Sequence, residues 1–502
     1  MFSYAIMGAG FIGTSHGDAI AASDELELAA VIDIDQGKGE AFAAKYGCAW
    51  YKTLGEMVAG CGGHSGAGKT GDAACAQRAS GSSRLAHSDT DITGDAARGG
   101  DNLPDAVIVC LPSYLHEQGV LEALSLGFHV LCEKPFALGV GSAVAMFVAA
   151  KKAGRRLMAA QVARYTPQLR EIAGMVRGGA FGDLRMGTVK RLGQHPDWST
   201  WHRDPQKSGG GLYDLHIHDL DFLYGMFGMP QSVYAIGWQT PTGCWNHVIS
   251  NLTWVRDDTG DDGGVVADSD AGNTKIASGL RTQLKDDECI PLVGGGAEAV
   301  AGLDNQAENG KRFTSLGGGA EQRTDVFCVS CEACMEMPTG YPFTVGYRIQ
   351  GDRGGIEYDF KAGFNIHDES RSAYTLFVNA DAGQDAQAHG DADAGQDAQA
   401  HGDAGRSAKP LPDAGGAAGV FGGGSSVKTL GAGQTGAVPL PEPAGDMFRD
   451  ELEAFAAAVR SGGPLPIPPD ETLGVMRLAE CILESLESGQ AVECGPPPPK
   501  VW

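Results

Sequence analysis

Three shortages narrow the field before any motif is read. The 502 residues hold no apolar run long enough to cross a bilayer and no charged-then-apolar leader. Met1 leads almost directly into a strand-like stretch, so a cytoplasmic protein is expected, with no membrane partner. Basic charge is in deficit: 38 Lys+Arg against 63 Asp+Glu give a net charge of -25. That balance argues against nucleic acid or an anionic membrane surface as a partner. Cysteine is sparse, 12 in all, which excludes a disulfide scaffold. Glycine is the excess, at 75 residues, and it is unevenly spread. The length leaves room for about two to four domains and an ample core.

Phe2 to Met7 reads as a short apolar strand, followed by Gly8-Ala9-Gly10-Phe11-Ile12-Gly13 and a helical stretch to about Ala22. A G-x-G-x-x-G motif between a strand and a helix is a dinucleotide fingerprint. Its first glycine permits the turn, its second lets backbone approach a pyrophosphate, and its third lets helix and strand pack closely. The helix N-terminus then faces the phosphates. A second strand, Leu26 to Ile32, ends in Asp33, an acidic residue able to accept the ribose hydroxyls of NAD, with Asp35 as the other candidate. No Arg follows to receive a 2′-phosphate, so NAD is expected rather than NADP.

Further on, Ala106 to Leu111 is a continuous apolar strand ending in Pro112-Ser113-Tyr114-Leu115-His116, and Phe128 to Cys132 is another, closed by Glu133-Lys134-Pro135. Ligands of open α/β sheets bind outside the carboxyl ends of strands. Lys134 at such an end could stabilise negative charge developing on a substrate oxygen. A plain surface lysine in a turn is the alternative.

Gly209 to Asp221, GGGLYDLHIHDLD, opens an amphipathic run. Leu212, Leu215, Phe222, Leu223, Met226 and Phe227 follow a helical period. Asp214 and His218 are four apart and would lie one above the other, with Asp221 continuing the line. A carboxylate beside an imidazole can fix its tautomer and raise its basicity, as a general base requires. A solvated i,i+4 pair reads equally well from this run alone.

The pattern collapses in three irregular tracts, about 61–102, 256–322 and 380–443, rich in Gly, Ala, Asp or Ser. DAGQDAQAHGDA occurs twice in the third, from Asp381 and Asp393, and reads as an acidic surface loop. Gly68-Lys69-Thr70 in the first lacks the strand and first glycine of a phosphate loop. Cys328-x-x-Cys331-x-x-Cys334 falls on a strand-like stretch, where alternation sends Cys331 to the opposite face from the other two. No metal is expected.

GAGFIG, the strand-end Asp33, LPSYLH, CEKP, WHRDPQKSGGG and D-x-x-x-H, in this order, resemble the Gfo/Idh/MocA oxidoreductases over about 1–60, 104–256, 326–378 and 446–493. The resemblance implies an α/β protein: an N-terminal NAD(P)-binding Rossmann domain, 1–135, and a C-terminal α/β domain, 136–495, with a large, mostly antiparallel sheet. It puts the family's catalytic groups on Lys134, Asp214 and His218. Cofactor contacts are expected from Gly8, Gly10, Phe11, Ile12, Gly13, Asp33, Leu111, Pro112, His116 and Glu133. Substrate contacts are expected from Lys134, Arg164, Tyr165, Trp201, Arg203 and His218. Many members carry glycine where His216 stands, and His216 is expected to pack or cap.

The function implied is an NAD-dependent dehydrogenase acting on a secondary hydroxyl of a sugar, polyol or glycoside, assembled as a homodimer or homotetramer. Two alternatives stay open: a glycosidase of the same fold that recycles its NAD, and a non-enzymatic dinucleotide-binding sensor.

Overall fold

The computed structural model describes residues 1–62, 103–196, 199–256, 325–363, 370–379 and 436–495. The chain opens with β1 (Phe2–Met7), α1 (Phe11–Ala21), β2 (Leu26–Ile32), α2 (Gln36–Tyr46), β3 (Ala49–Tyr51) and α3 (Leu54–Gly62). It continues with β4 (Ala106–Val109), α4 (His116–Ser125), β5 (His129–Glu133), α5 (Val140–Ala153) and β6 (Leu157–Ala160). The six strands form one parallel sheet in the order β3-β2-β1-β4-β5-β6. Its central strands are buried on both faces, which is why they read as unbroken apolar runs. The order reverses between β1 and β4, and the crevice at their carboxyl ends is where such a sheet binds its ligand.

A second unit of structure follows: α6 (Pro167–Arg177), β7 (Leu184–Leu192), α7 (Pro205–Ser208), a π-helical turn at Leu212–His216, α8 (Ile217–Phe227), β8 (Ser232–Gln239), β9 (Trp245–Arg256) and β10 (Asp325–Cys334). Then come β11 (Thr344–Gly351), β12 (Gly354–Lys361), β13 (Arg371–Val378), β14 (Gly436–Pro439), α9 (Met447–Ser461), α10 (Pro469–Ser488) and β15 (Val492–Glu493). The nine strands lie in the order β14-β13-β12-β11-β7-β10-β9-β8-β15. Every pairing is antiparallel except β7 with β10. The inward residues, among them Val189, Val248, Val329, Tyr347 and Ile356, share a core with Leu220 and Leu223 of α8 and Leu478 and Ile482 of α10. Among the described residues no helix is long and apolar enough to cross a membrane.

Three boundaries differ from those expected. The parallel sheet does not close at Pro135, because β6 pairs with β5 and extends it to Ala160. A four-residue strand carries too little pattern to be read from sequence. The third irregular tract ends earlier than Pro443: Gly436–Pro439 form β14, an edge strand on β13. The three tracts otherwise fall almost wholly outside the described residues, together with Gly68-Lys69-Thr70 and both copies of the repeat.

The third difference is α9. It lies on the first sheet, not the second. Phe448, Leu452 and Phe455 pack with Tyr4, Ile6 and Ile108 of β1 and β4. Tyr4 Oη donates to Leu452 O at 2.8 Å, Ser23 Oγ to Glu453 Oε1 at 2.6 Å, and Arg460 pairs with Glu25 at 2.9 Å. The Rossmann core is therefore completed by residues far along the chain.

Candidate active site

The glycine motif builds a dinucleotide cradle at the carboxyl end of β1. Gly8 has φ +111°, and a Cβ there would stand 2.5 Å from Cys110 O on the neighbouring strand. A Cβ on Gly13 would meet Gly8 O at 2.1 Å, so helix and turn pack backbone to backbone. Gly10 differs: a Cβ there would meet nothing within 4 Å, and the residue faces open space as the N-cap of α1, with no side chain capping the helix. An uncapped helix N-terminus behind an open glycine suits a pyrophosphate. Phe11 is exposed and Ile12 half-buried at the same edge.

Asp33 ties the cradle to β2. One carboxylate oxygen accepts Ala9 N–H and the other Asp35 N–H, both at 2.8 Å. Each oxygen keeps a lone pair for a ribose hydroxyl. Asp35, the other candidate, caps α2 by accepting Lys38 N–H at 3.1 Å. The residues present thus fit a bound dinucleotide.

Lys134 stands just past β5. Its Nζ donates to Asp214 O and to Asp214 Oδ1, each at 3.0 Å, and both side chains are about a fifth exposed (18% and 20%). Burial pushes the Asp214 carboxyl up, but the Lys134 ammonium and its hydrogen bond outweigh that and hold it below its usual range. Lys134 is placed from below by Glu133: its own N–H donates to Glu133 Oε2 at 3.0 Å, while Glu133 Oε1 meets His16 Nε2 at 2.7 Å.

The Asp214–His218 pair expected from the spacing does not form. Leu212–His216 is a π turn, whose i→i+5 bonds hold one more residue than an α-helical turn, so residues four apart no longer stack. Asp214 turns to Lys134. Among the described residues no hydrogen bond joins it to His218. The His218 Nδ1 is buried without a partner. Burial, then the Lys134 and Arg191 cations, push His218 well below its ordinary value, so its ring is neutral near pH 7. Entry to this turn depends on Gly210, at φ +68°, where a Cβ would meet Trp245 N at 3.0 Å.

The rest of the polar line is structural. Asp221 is fully buried and takes both ends of the Arg164 guanidinium, Nε at 2.6 Å and Nη2 at 2.7 Å. Asp219 does the same for Arg191. His216 is fully buried with Nε2 at 2.8 Å from Ser250 Oγ, the packing role expected for it.

The remaining expected residues divide. Trp201 edges the site, stacked on His202 at 3.8 Å and edge-on to Tyr114 at 6.4 Å. Arg203 is exposed. Arg164 and Tyr165 do not line a pocket: Arg164 is wholly enclosed by Asp221 and Glu471, and Tyr165 is 2% exposed in the core of the first sheet. His116 and Glu133 are buried as well. The two His116 ring nitrogens lie 2.8 Å from Pro135 O and Leu111 O, so His116 braces the Leu111-Pro112 and Lys134-Pro135 turns with its side chain turned inward. Leu111 and Pro112 remain half-buried at the crevice.

Two histidines were missed. His202 lies close enough to Asp214 and Lys134 to feel both charges, and burial lowers its pKa. Its Nδ1 is 2.6 Å from Ser199 Oγ. His195 acts on the same Asp214 and lies 3.9 Å from Glu336. The flanking Trp201 and Arg203 were singled out and His202 was not. In a 3-10 turn three successive side chains point in three directions, so which one enters a site is not readable from order.

A parallel sheet with an open glycine cradle, a strand-end lysine and a mixed sheet beyond it define a two-domain dinucleotide oxidoreductase. Comparison with known proteins agrees. Residues 2–62 and 73–161 match the oxidoreductase family with an NAD-binding Rossmann fold, and residues 169–276 match the GFO/IDH/MocA C-terminal domain. The chain belongs to the Gfo/Idh/MocA family. Among curated relatives, the D-glucoside 3-dehydrogenase of Escherichia coli is 33% identical over 140 residues, 27% of this chain and 40% of that protein. The 2,7-anhydro-N-acetylneuraminate hydratase of the same organism is 35% identical over 138 residues, 27% of this chain and 37% of that protein. These matches span well under half of the relatives' length. The aldose-aldose oxidoreductase of Caulobacter crescentus, complexed with glycerol, shares the fold at TM-score 0.58 and 16% identity, over 98% of this chain and 99% of that one.

Proposed function

We propose that this protein is an NAD-dependent oxidoreductase that takes a hydride from a secondary hydroxyl of a sugar, polyol or glycoside. The observation that carries the reading is the Lys134–Asp214 contact at the strand-end crevice, with a neutral, underpartnered His218 beside it. Bound NAD would supply the hydride acceptor. Gly10 and the N-terminus of α1 would hold its pyrophosphate, and Asp33 its ribose hydroxyls. A carboxylate at that position also disfavours a 2′-phosphate, which supports NAD over NADP.

Lys134 presents an ammonium that Asp214 orients, and it stabilises the substrate oxygen as negative charge builds. His218, kept neutral by its surroundings, takes the hydroxyl proton. Asp214 is thus a positioning residue for the lysine, a different role from the one its spacing suggested. His202 and Trp201 bound the same space and would shape it for a polyhydroxylated ligand.

Lys134→Met should lower kcat by at least 100-fold while NAD affinity, read by fluorescence titration, changes less than about threefold. Turnover like wild type would end the assignment. A relative named as a hydratase, a reaction with no net redox change, favours the second reading, a glycosidase of the same fold that recycles its NAD so that no net NADH appears. The absorbance trace at the NADH band during turnover separates the two. NAD binding with no turnover on either assay would favour the sensor.

Assembly into a homodimer or homotetramer is part of the proposal. The outer face of the nine-stranded sheet leaves Tyr234, Ile236 and Trp238 of β8 about half exposed (43%, 52% and 51%), and Met186 of β7 60% exposed. Such a patch suits a second copy. A monomer by light scattering would contradict it.

A further inference from the structure

Two one-residue irregularities of the backbone are joined by one side chain. The first is the π turn that carries Asp214. The second is a bulge in β9. Trp238 of β8 pairs with His247 and the next residue, Gln239, with Trp245, so Asn246 is left over between them. A bulge re-aims the side chain it carries, and bulges and π turns are both frequent beside active sites. Asn246 is 1% exposed, and both ends of its amide are used. Its Oδ1 accepts Gly211 N–H at 2.9 Å, and its Nδ2 donates to Glu336 Oε1 at 2.7 Å.

The N–H groups at the start of a helix have no partner within it. Ser208 Oγ accepts Gly210 N–H at 3.0 Å. Gly209 and Gly210 carry no side chain that could serve Gly211, so its acceptor comes from another strand. The two backbones approach closely there. A Cβ on Gly211 would meet Asn246 O at 3.0 Å and Asn246 Cα at 3.1 Å, inside ordinary van der Waals contact. Asn246 is itself held by the sheet, since its carbonyl accepts Met335 N–H at 2.8 Å. Glu336 sets which way the amide points, because a carboxylate only accepts and so selects the NH2 end. A strand of the sheet thus fixes where the turn begins.

We propose that Asn246 is a positioning residue of the candidate active site, whose amide caps the π turn from across the fold and so holds Asp214 on Lys134. Only Leu212 and Tyr213 separate Gly211 from Asp214. A shift of the capped N–H therefore carries to the Asp214 carbonyl and carboxylate oxygens, each 3.0 Å from Lys134 Nζ. With the cap gone, the turn is free to relax to α-helical register, and a slip of one residue swings a side chain through about 100°. The Lys134 ammonium then loses the group that orients it. This role bears on catalysis only under the function proposed above, in which Lys134 meets the substrate oxygen.

The test is trace acetylation of the full chain with acetic anhydride, read at Lys134 by mass spectrometry against the other lysines of the same sample. Lys134 Nζ must give up its bonds to Asp214 before it reacts, so Asn246→Ala should label Lys134 about fivefold faster or more. Asn246→Asp should do the same, since its second oxygen is set against the Glu336 carboxylate. Adding Glu336→Gln returns a donor to that contact, and the combined variant should label within about twofold of wild type. NAD affinity, read by fluorescence titration, should stay within about threefold throughout, because the glycine cradle and Asp33 belong to the first sheet. Labelling of Lys134 at the wild-type rate in Asn246→Ala overturns the proposal, and so does a combined variant that labels as fast as Asn246→Asp alone. A protein whose lysines all react faster together has lost its fold. If Asn246→Ala does so, Asn246→Asp decides in its place, because it keeps an acceptor for Gly211. Labelling needs no turnover, so the outcome stands even where no sugar yields NADH, the result that would sink the proposed function instead.

Discussion

His216 makes the folded state sensitive to acid. Its ring is fully buried under the π turn, with Nε2 on Ser250 Oγ, Nδ1 without a partner, and Asp219 and Arg191 as the nearest charges. Burial pushes its pKa from 6.5 to about 4, the nearby Asp219 opposing and Arg191 reinforcing the shift. A histidine depressed in the native state contributes stability that is complete above its unfolded pKa. That stability is lost as pH falls toward the folded value, because the unfolded chain takes up the proton first. The window therefore runs from about pH 6.5 down to about pH 4. At about 1.4 kcal/mol per unit, the full difference amounts to roughly 3 kcal/mol, most of it already lost at pH 4.5. His216→Gln keeps a neutral hydrogen-bonding group and removes the titration. Urea unfolding of both proteins at pH 7.5 and 4.5 should show wild type losing roughly 2–3 kcal/mol more than the variant over that span. His202 and His218, lowered by the same burial, act on both proteins alike and cancel in the difference. Equal losses in the two proteins would refute the buried, neutral state of His216.

Arg164→Met should cost about 3–5 kcal/mol in the same unfolding assay, since it leaves Asp221 and Glu471 buried without their cation; a cost under about 1 kcal/mol would mean that the enclosure is looser than described. Gly8→Ala should weaken NAD binding by at least tenfold and lower stability, because its φ is positive and its Cβ would strike Cys110 O, whereas Gly10→Ala should fold like wild type and lose affinity only. Replacing residues 381–435 by a short Gly/Ser linker should leave NAD affinity and turnover within about threefold, because a loop's closing entropy changes only logarithmically with its length. The replacement must stop before Gly436, where β14 begins. A folded but inactive deletion would show that the acidic repeat serves the site.

The local signals in the sequence were strong wherever backbone geometry dictates residue type. GAGFIG required glycine because Gly8 is left-handed and Gly13 touches backbone, and the parallel strands showed as apolar runs because both faces are covered. Leu26–Ile32 lies where its apolar run put it. Partnerships between distant elements left no such trace. Asp214 meets Lys134 across 80 positions, and Arg164 meets Glu471 across 307, so neither pairing has a period. The family resemblance put Arg164 and Tyr165 against the substrate, yet buried carboxylates accommodate the arginine and an apolar core the tyrosine. The π turn is likewise silent, since its composition is that of any helix start.

The position of α9 bears on how the chain is made. A ribosome delivers the first sheet complete once β6 has emerged, but the face carrying Tyr4, Ile6 and Ile108 lacks one of its helices until Phe448, Leu452 and Phe455 follow. At roughly 5–20 residues per second, the ~300 residues in between take about 15–60 s. Through that interval the nascent dinucleotide domain shows a greasy strip along β1 and β4, and its natural cover is still being translated. A chain that ends before residue 447 therefore leaves Tyr4, Ile6 and Ile108 without the cover of α9.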